Sequence, residues 1–334
     1  MLTHGGESSH RVRVTQTRTS PLLGEAALSS EGRALLQQVG SALDKHRPLR
    51  VHDHGLVAVD MEFIKATPPM ENGDERQAKR GPAARSRERP ARRQGTAGGS
   101  RTPGAAPRIV DGLRAAYGGQ VSRLAEAYPT LKTFPDGQGL WLLAKSSIIS
   151  GLAREAAFLV ALPYRLGPGP RAWGFWTAAG QDQWIGPRHT NLGDGSICAF
   201  SPDDGVWSEG GDLRTLLDFY SVWALRHLHL EVFGRWPGKQ YSLHGFDPTV
   251  QAFYRQRECK DDELCGCGSE TRRYVECCKP ADLQCDVIRV GSLFLQQVPG
   301  GFMSRQPPPS VVGFIEGQSA LPRMADVHLQ IASP

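Results

Sequence analysis

The stretch DLRTLLDFYSVWALRHLHLEVF, residues 212–233, decides the fold. Asp212 is a side-chain acceptor placed to cap the first turn of a helix. Leu213, Leu216, Leu217, Tyr220, Trp223, Ala224 and Leu228 then recur at helical spacing and form one broad apolar face. His227 and His229 read as surface or partly buried helix residues rather than ligands. A face this wide has to be covered, and the residues upstream supply strands to cover it. Gly139 to Ile149 and Glu155 to Tyr164 are apolar runs of strand length around a Ser150-Gly151 turn. Pro163, Pro168 and Pro170 end the second run, and Ala172 to Trp176 offers a third. Before them, Ile109, Leu113, Val121 and Leu124 predict a helix, or two short ones interrupted at Gly118-Gly119, ended by Pro129. Helix, antiparallel strands, an irregular loop from Thr177 to Trp207 and a long helix make an α+β domain over residues 108–240.

Outward from this domain the signals weaken. Residues 1–66 form an N-terminal segment with a helical stripe at Leu35, Leu36, Val39 and Leu43, then a strand-like stretch within Leu49 to Ile64. His52-Asp53-His54 within that stretch reads as polar strand, since alternation sends neighbours to opposite faces. Residues 67–107 are almost devoid of large apolar side chains and read as a basic disordered linker. Ten basic residues and four acidic ones lie between Glu71 and Arg108, a surplus larger than the net charge of +5 on all 334 residues. The folded part is therefore close to neutral, and the pI near 8.9 does not argue for a nucleic-acid partner. No apolar run approaches the ~18 residues of a membrane helix, and the first residues lack the order of a signal peptide. The expectation is a cytoplasmic protein with no membrane partner. Residues 286–334 read as a tail, with a strand at Val287 to Leu295 and a flexible stretch around Pro307-Pro308-Pro309.

Two clusters carry chemistry. His189-Thr190-Asn191-Leu192-Gly193-Asp194-Gly195-Ser196-Ile197-Cys198 ends in a cysteine outside regular structure, ahead of the long helix. A loop thiol on a rigid scaffold is accessible, and accessibility is half of what a nucleophile needs. The Asn191 amide is a donor suited to a developing oxyanion. Spacing shows no Ser-His-Asp or Cys-His dyad, so exchange between thioesters suits this thiol better than hydrolysis. The second cluster, within residues 255–285, has Cys265, Cys267, Cys277 and Cys278 in fourteen residues, with Gly and Ser turns between them. Four thiols at that spacing suit a closed tetrahedral Zn²⁺ of structural type. Cys259 and Cys285 flank the cluster as substitutes if the register shifts.

His-x-Asn, then Gly-Ser-Ile-Cys, then Trp207 and a long amphipathic helix resembles the core of ubiquitin-conjugating enzymes of the divergent prokaryotic, bacterial branch. The Cys265-Gly266-Cys267-Gly268-Ser269…Tyr274…Cys277-Cys278 segment resembles the SEC-C zinc motif, an interaction module. The resemblance implies a UBC-like antiparallel meander with flanking helices, plus a small C-terminal zinc knuckle. It implies that Cys198 takes a ubiquitin-like protein from an activating-enzyme-like protein as a thioester and passes it to an amine on an acceptor of unread identity. Asn191 would orient the loop and stabilise the oxyanion, and His189 would hold the loop. The alternative is an inert adaptor, in which the same fold is a binding surface and the knuckle recruits a protein.

Overall fold

Strand formation follows from apolar runs that bury both of their faces. In the computed structural model, which describes residues 28–45, 49–52, 55–58, 105–146, 154–164, 169–178, 181–191, 193–200, 207, 210–240, 247–286, 288–289, 292 and 305–329, the centre is an antiparallel sheet of five strands. In chain order these are β3 (Lys132–Asp136), β4 (Gly139–Lys145), β5 (Glu155–Pro163), β6 (Arg171–Ala178) and β7 (Gln181–Trp184), each paired with the next. Ahead of them stand α1 (Ser30–Asp44), the hairpin β1 (Leu49–His52) with β2 (Gly55–Ala58), and α2 (Ala105–Ala127). After them come α3 (Leu213–Phe233), α4 (Pro248–Glu258), a short 3₁₀ turn at Tyr274–Glu276 and α5 (Lys279–Asp282). The last elements are α6 (Pro309–Ile315) and α7 (Met324–Leu329).

Period-two alternation divides the sheet between two cores. Leu140, Leu142, Phe158, Val160, Leu162 and Trp176 face α1, α2 and α3, meeting Leu36, Tyr117, Leu216, Tyr220 and Trp223. Trp141, Leu159, Trp173 and Phe175 face the other way and are covered by Val311, Met324 and Val327 of α6 and α7. The result is three layers, with β5 buried on both faces. Gly174 allows α3 to come close: a Cβ there would lie 2.8 Å from the Trp223 ring.

α3 begins as its sequence predicts, with the Asp212 carboxylate accepting from the Thr215 N–H at 2.9 Å and Gly234 ending the helix in the left-handed region. Several expectations need correction. α2 runs unbroken through Gly118 and Gly119, whose Cα hydrogens face open space. The cost of two exposed glycines, about 1 kcal/mol each, is smaller than what burying Tyr117 and Leu124 contributes. His227 and His229 are both buried, not superficial. The tail is not a loose end over residues 305–329: it supplies the second core. Ile288, Arg289 and Ser292 are helical, where a strand was expected. Of the linker expectation, residues 67–104 lie outside the described residues, and 105–107 open α2. Asp53 and His54 also lie outside them.

Candidate functional site

The loop that follows β7 returns to the sheet and folds on itself. Ile197 donates to the Ala172 carbonyl at 2.7 Å, and Thr190 bridges Ile197 in antiparallel fashion. Cys198 donates its N–H to the His189 carbonyl at 3.0 Å, and Asn191 donates to the Ser196 carbonyl at 2.7 Å. His189, Asn191 and Cys198 are thereby brought onto one short hairpin-like turn. Gly195 closes it at φ 63°, where a Cβ would also collide with the backbone of Gln306 and Pro307.

Side chains stiffen this turn from inside. Asp194 Oδ1 accepts from the Ser196 N–H at 3.0 Å and from the Ser196 hydroxyl at 2.7 Å. The Asn191 amide donates to Ser196 Oγ at 2.9 Å and to the Ile197 carbonyl at 3.3 Å. Trp173 Nε1 holds the Asp194 carbonyl at 2.8 Å. Thr190, Asp194, Ser196 and Ile197 are buried, whereas Cys198 is exposed. Asn191 thus acts as a clamp of the loop, its amide engaged with Ser196 and Ile197.

His189 takes a φ of 50°, a left-handed conformation that costs a non-glycine residue about 1 kcal/mol or more. It is held there by its ring stacking on Trp236 at 4.1 Å and by the Trp223 Nε1 donor on its carbonyl at 2.8 Å. Burial, then the nearby Arg188 guanidinium, keeps its imidazole neutral by lowering its pKa well below the usual range. His227 beneath it bonds the Arg188 carbonyl at 2.7 Å, and burial lowers its pKa to about 3. Neither ring is a proton carrier near neutral pH.

Residues that the spacing did not reveal surround the loop. Arg305 lies over the Tyr254 ring at 4.8 Å, donates to Glu258 at 2.6 Å and reaches the Pro187 carbonyl at 3.3 Å. Burial pushes the Tyr254 hydroxyl up to about 12; Glu258 and Cys198 act in the same direction, against Arg305. Nothing local in the sequence pairs these positions. The one local signal here is Asp194-Gly195-Ser196, since an Asp accepting from the N–H two residues on is a common turn, and it went unread in the sequence.

The second cluster is a candidate metal centre. Cys265, Cys267, Cys277 and Cys278 bring their sulfurs within 4.8 Å of one another. Two of the separations, Cys267 to Cys277 at 3.7 Å and Cys277 to Cys278 at 3.9 Å, match the ~3.8 Å edge of a tetrahedron with metal–sulfur bonds of ~2.3 Å. Desolvation raises the Cys267 thiol, but hydrogen bonds from Ser269 N–H and the other three cysteines outweigh it and lower the pKa overall. Burial and its thiol neighbours raise Cys277, to about 11, and Cys278 as well. Four sulfurs this close resist carrying four negative charges together, and a bound cation removes that conflict. Cys259 and Cys285 are outside the set. The Cys259 thiol faces Gln240 Oε1 at 3.7 Å, with burial pushing it up to about 12, and Cys285 faces the Ala281 carbonyl. Arg255 lies under the turn, its guanidinium paired with Asp282 at 2.6 and 2.9 Å and its stem against Gly266.

No helix among the described residues is long and apolar enough to cross a membrane. No protein-family model, no curated protein and no solved structure matches the chain significantly.

Proposed function

We propose that Cys198 is a thioester-forming nucleophile that receives a ubiquitin-like C-terminus and passes it to an acceptor amine. The observation that carries this reading is an exposed thiol on a turn whose other residues from Asp194 to Ile197 are buried and pinned. Exposure lets a bulky carrier tail approach, and rigidity keeps the thiol in one attack geometry. In the first step the Cys198 thiolate attacks the carbonyl of an activating-enzyme thioester, and the activating enzyme's thiolate leaves. In the second the amine attacks the Cys198 thioester, Cys198 leaves as thiolate, and the amine proton passes to solvent. Asn191, as the clamp of the turn, keeps the carbonyl's landing place fixed.

The four-cysteine centre takes Zn²⁺ in this reading, with Cys265, Cys267, Cys277 and Cys278 as thiolate ligands and a structural role. The donor set fits, since thiolates are preferred zinc ligands and a four-coordinate site leaves no position for substrate. The setting is the reducing cytoplasm, where such thiols persist.

A second reading is favoured by one observation. Both contacts of the Asn191 amide are internal to the turn, which is also what an inert adaptor would use to hold a binding loop. Exposed Val275, Leu283 and Ile288 on the cysteine-rich lobe would then meet a client protein. The test is incubation with an activating enzyme, its ubiquitin-like protein and ATP. The wild type is expected to form an adduct cleaved by thiols, Cys198→Ser an adduct that resists them, and Cys198→Ala none. Adduct formation by Cys198→Ala, or a Cys198 inert to small alkylating reagents in the folded state, rules out the enzyme and leaves the adaptor.

A further inference from the structure

Glu263 precedes the first cluster cysteine by two residues and is completely buried. A carboxylate there must be neutralised and hydrogen-bonded, and the chain supplies donors from three separate segments. Arg188 grips it with both terminal nitrogens, Nη1 reaching Oε1 at 2.8 Å. The backbone N–H of Trp236 reaches Oε1 at 2.6 Å, and Lys260 N–H reaches Oε2 at 2.9 Å. Gln240 Nε2 donates to Oε2 at 3.1 Å and to the Leu264 carbonyl at 2.8 Å.

The main chain of the same segment faces the cysteine turn. Tyr274 N–H donates to the Glu263 carbonyl at 2.9 Å, and Cys265 N–H donates to the Arg272 carbonyl at 3.0 Å. Leu264 bridges Arg273 between them. Residues 263–265 therefore join the cysteine centre to Arg188, which is the neighbour of His189. His189 in turn holds the Cys198 N–H.

We propose that the four-cysteine centre is the lock of the Cys198 loop: metal binding fixes residues 263–265, and Glu263 and Arg188 act as positioning residues that carry this order to His189 and Cys198. The inference rests on the cluster binding a metal, and it does not need the thioester chemistry. Residues 265–278 bury few apolar side chains of their own, so without a cation the turn has little to hold its shape. Once residues 263–265 move, the buried Arg188 guanidinium loses its bidentate partner and is left with Gln240 and the more distant Glu258 carboxylate at 3.9 Å, a weaker hold on a buried charge. Its backbone is continuous with His189, whose left-handed φ of 50° is kept only by the packing around it.

The experiment uses the full chain in reducing buffer, with metal content measured first and amide hydrogen exchange read by mass spectrometry. Stripping the metal with a chelator is expected to speed exchange across residues 189–198 by about tenfold or more, while Ala156 to Leu162 of β5 keep their protection. Adding Zn²⁺ back is expected to restore the loop. Glu263→Gln is expected to keep its metal and yet show the fast loop exchange of the stripped protein. Unchanged loop exchange on stripping, or equal loosening of loop and β5, overturns the proposal. If Glu263→Gln does not fold, the wild-type strip-and-refill cycle still decides. A protein that binds neither Zn²⁺ nor Co²⁺ refutes the metal centre itself, and its content measurement separates that failure from the others.

Discussion

His227 shows how a single residue ties the helix layer to the functional loop. It is buried, bonds the Arg188 carbonyl and touches the rings of both Trp223 and Trp236. Burial holds its folded-state pKa near 3 against an ordinary value of 6.5. Below about pH 6.5 the unfolded chain binds a proton that the folded chain refuses, so stability falls as pH drops from there towards 3. Above pH 6.5 this contribution is fully present. His189 and His229 act in the same direction, their pKa values lowered chiefly by burial. Each fully shifted group adds a slope of about 1.4 kcal/mol per pH unit inside its window. His227→Gln keeps a donor towards the Arg188 carbonyl and removes one titration. Denaturant unfolding at pH 7 and pH 5 should therefore show a smaller loss of stability in the variant than in the wild type; an identical loss would mean His227 is already protonatable in the folded state.

At the scale of elements, legibility followed how local each signal was. α3 was readable from Asp212 and its apolar face, and β4 and β5 from their apolar runs, because burial on two faces removes polar residues from a strand. β3, with Pro135, and β7, Gln181-Asp182-Gln183-Trp184, went unread: they are sheet edges, where alternation is faint and proline is tolerated. Pro307-Pro308-Pro309 suggests a loose segment in the sequence, yet Pro309 at the first helical position is a start signal and opens α6. The four cysteines were readable as a set from spacing, while the Arg188–Glu263 pair, 75 residues apart, was not, since no periodicity encodes a contact at that separation. The cluster yields a prediction that distinguishes the cysteines. Cys265→Ser should lose bound metal, because it removes one of four ligands, whereas Cys259→Ser should keep full stoichiometry, because that thiol faces Gln240 instead. Metal content after gel filtration measures both, and equal loss in the two variants would place Cys259 among the ligands.

At the scale of the whole molecule, the C-terminal segment makes one body of the sheet and the cysteine-bearing loop. Residues 305–307 lie against Gly195, Arg305 ties Glu258 and Tyr254 of α4 to the Pro187 carbonyl, and α6 and α7 cover Trp141 and Trp173 on the sheet. Phe314 packs edge-on against Phe134 at 5.7 Å, which anchors α6 to the edge strand β3. Met324 is the side chain on which this covering turns, being 1% exposed and seated against Gly139, where no larger residue would leave it room. Met324→Ala removes buried thioether and methylene groups from a site that the rigid sheet cannot collapse to fill, so it should cost about 2–4 kcal/mol of unfolding free energy. The two tryptophans beneath report the same event, since water reaching Trp141 and Trp173 shifts their emission to the red. A variant of wild-type stability and emission would show that α6 and α7 leave the sheet in solution, and that the second core contributes little to the fold.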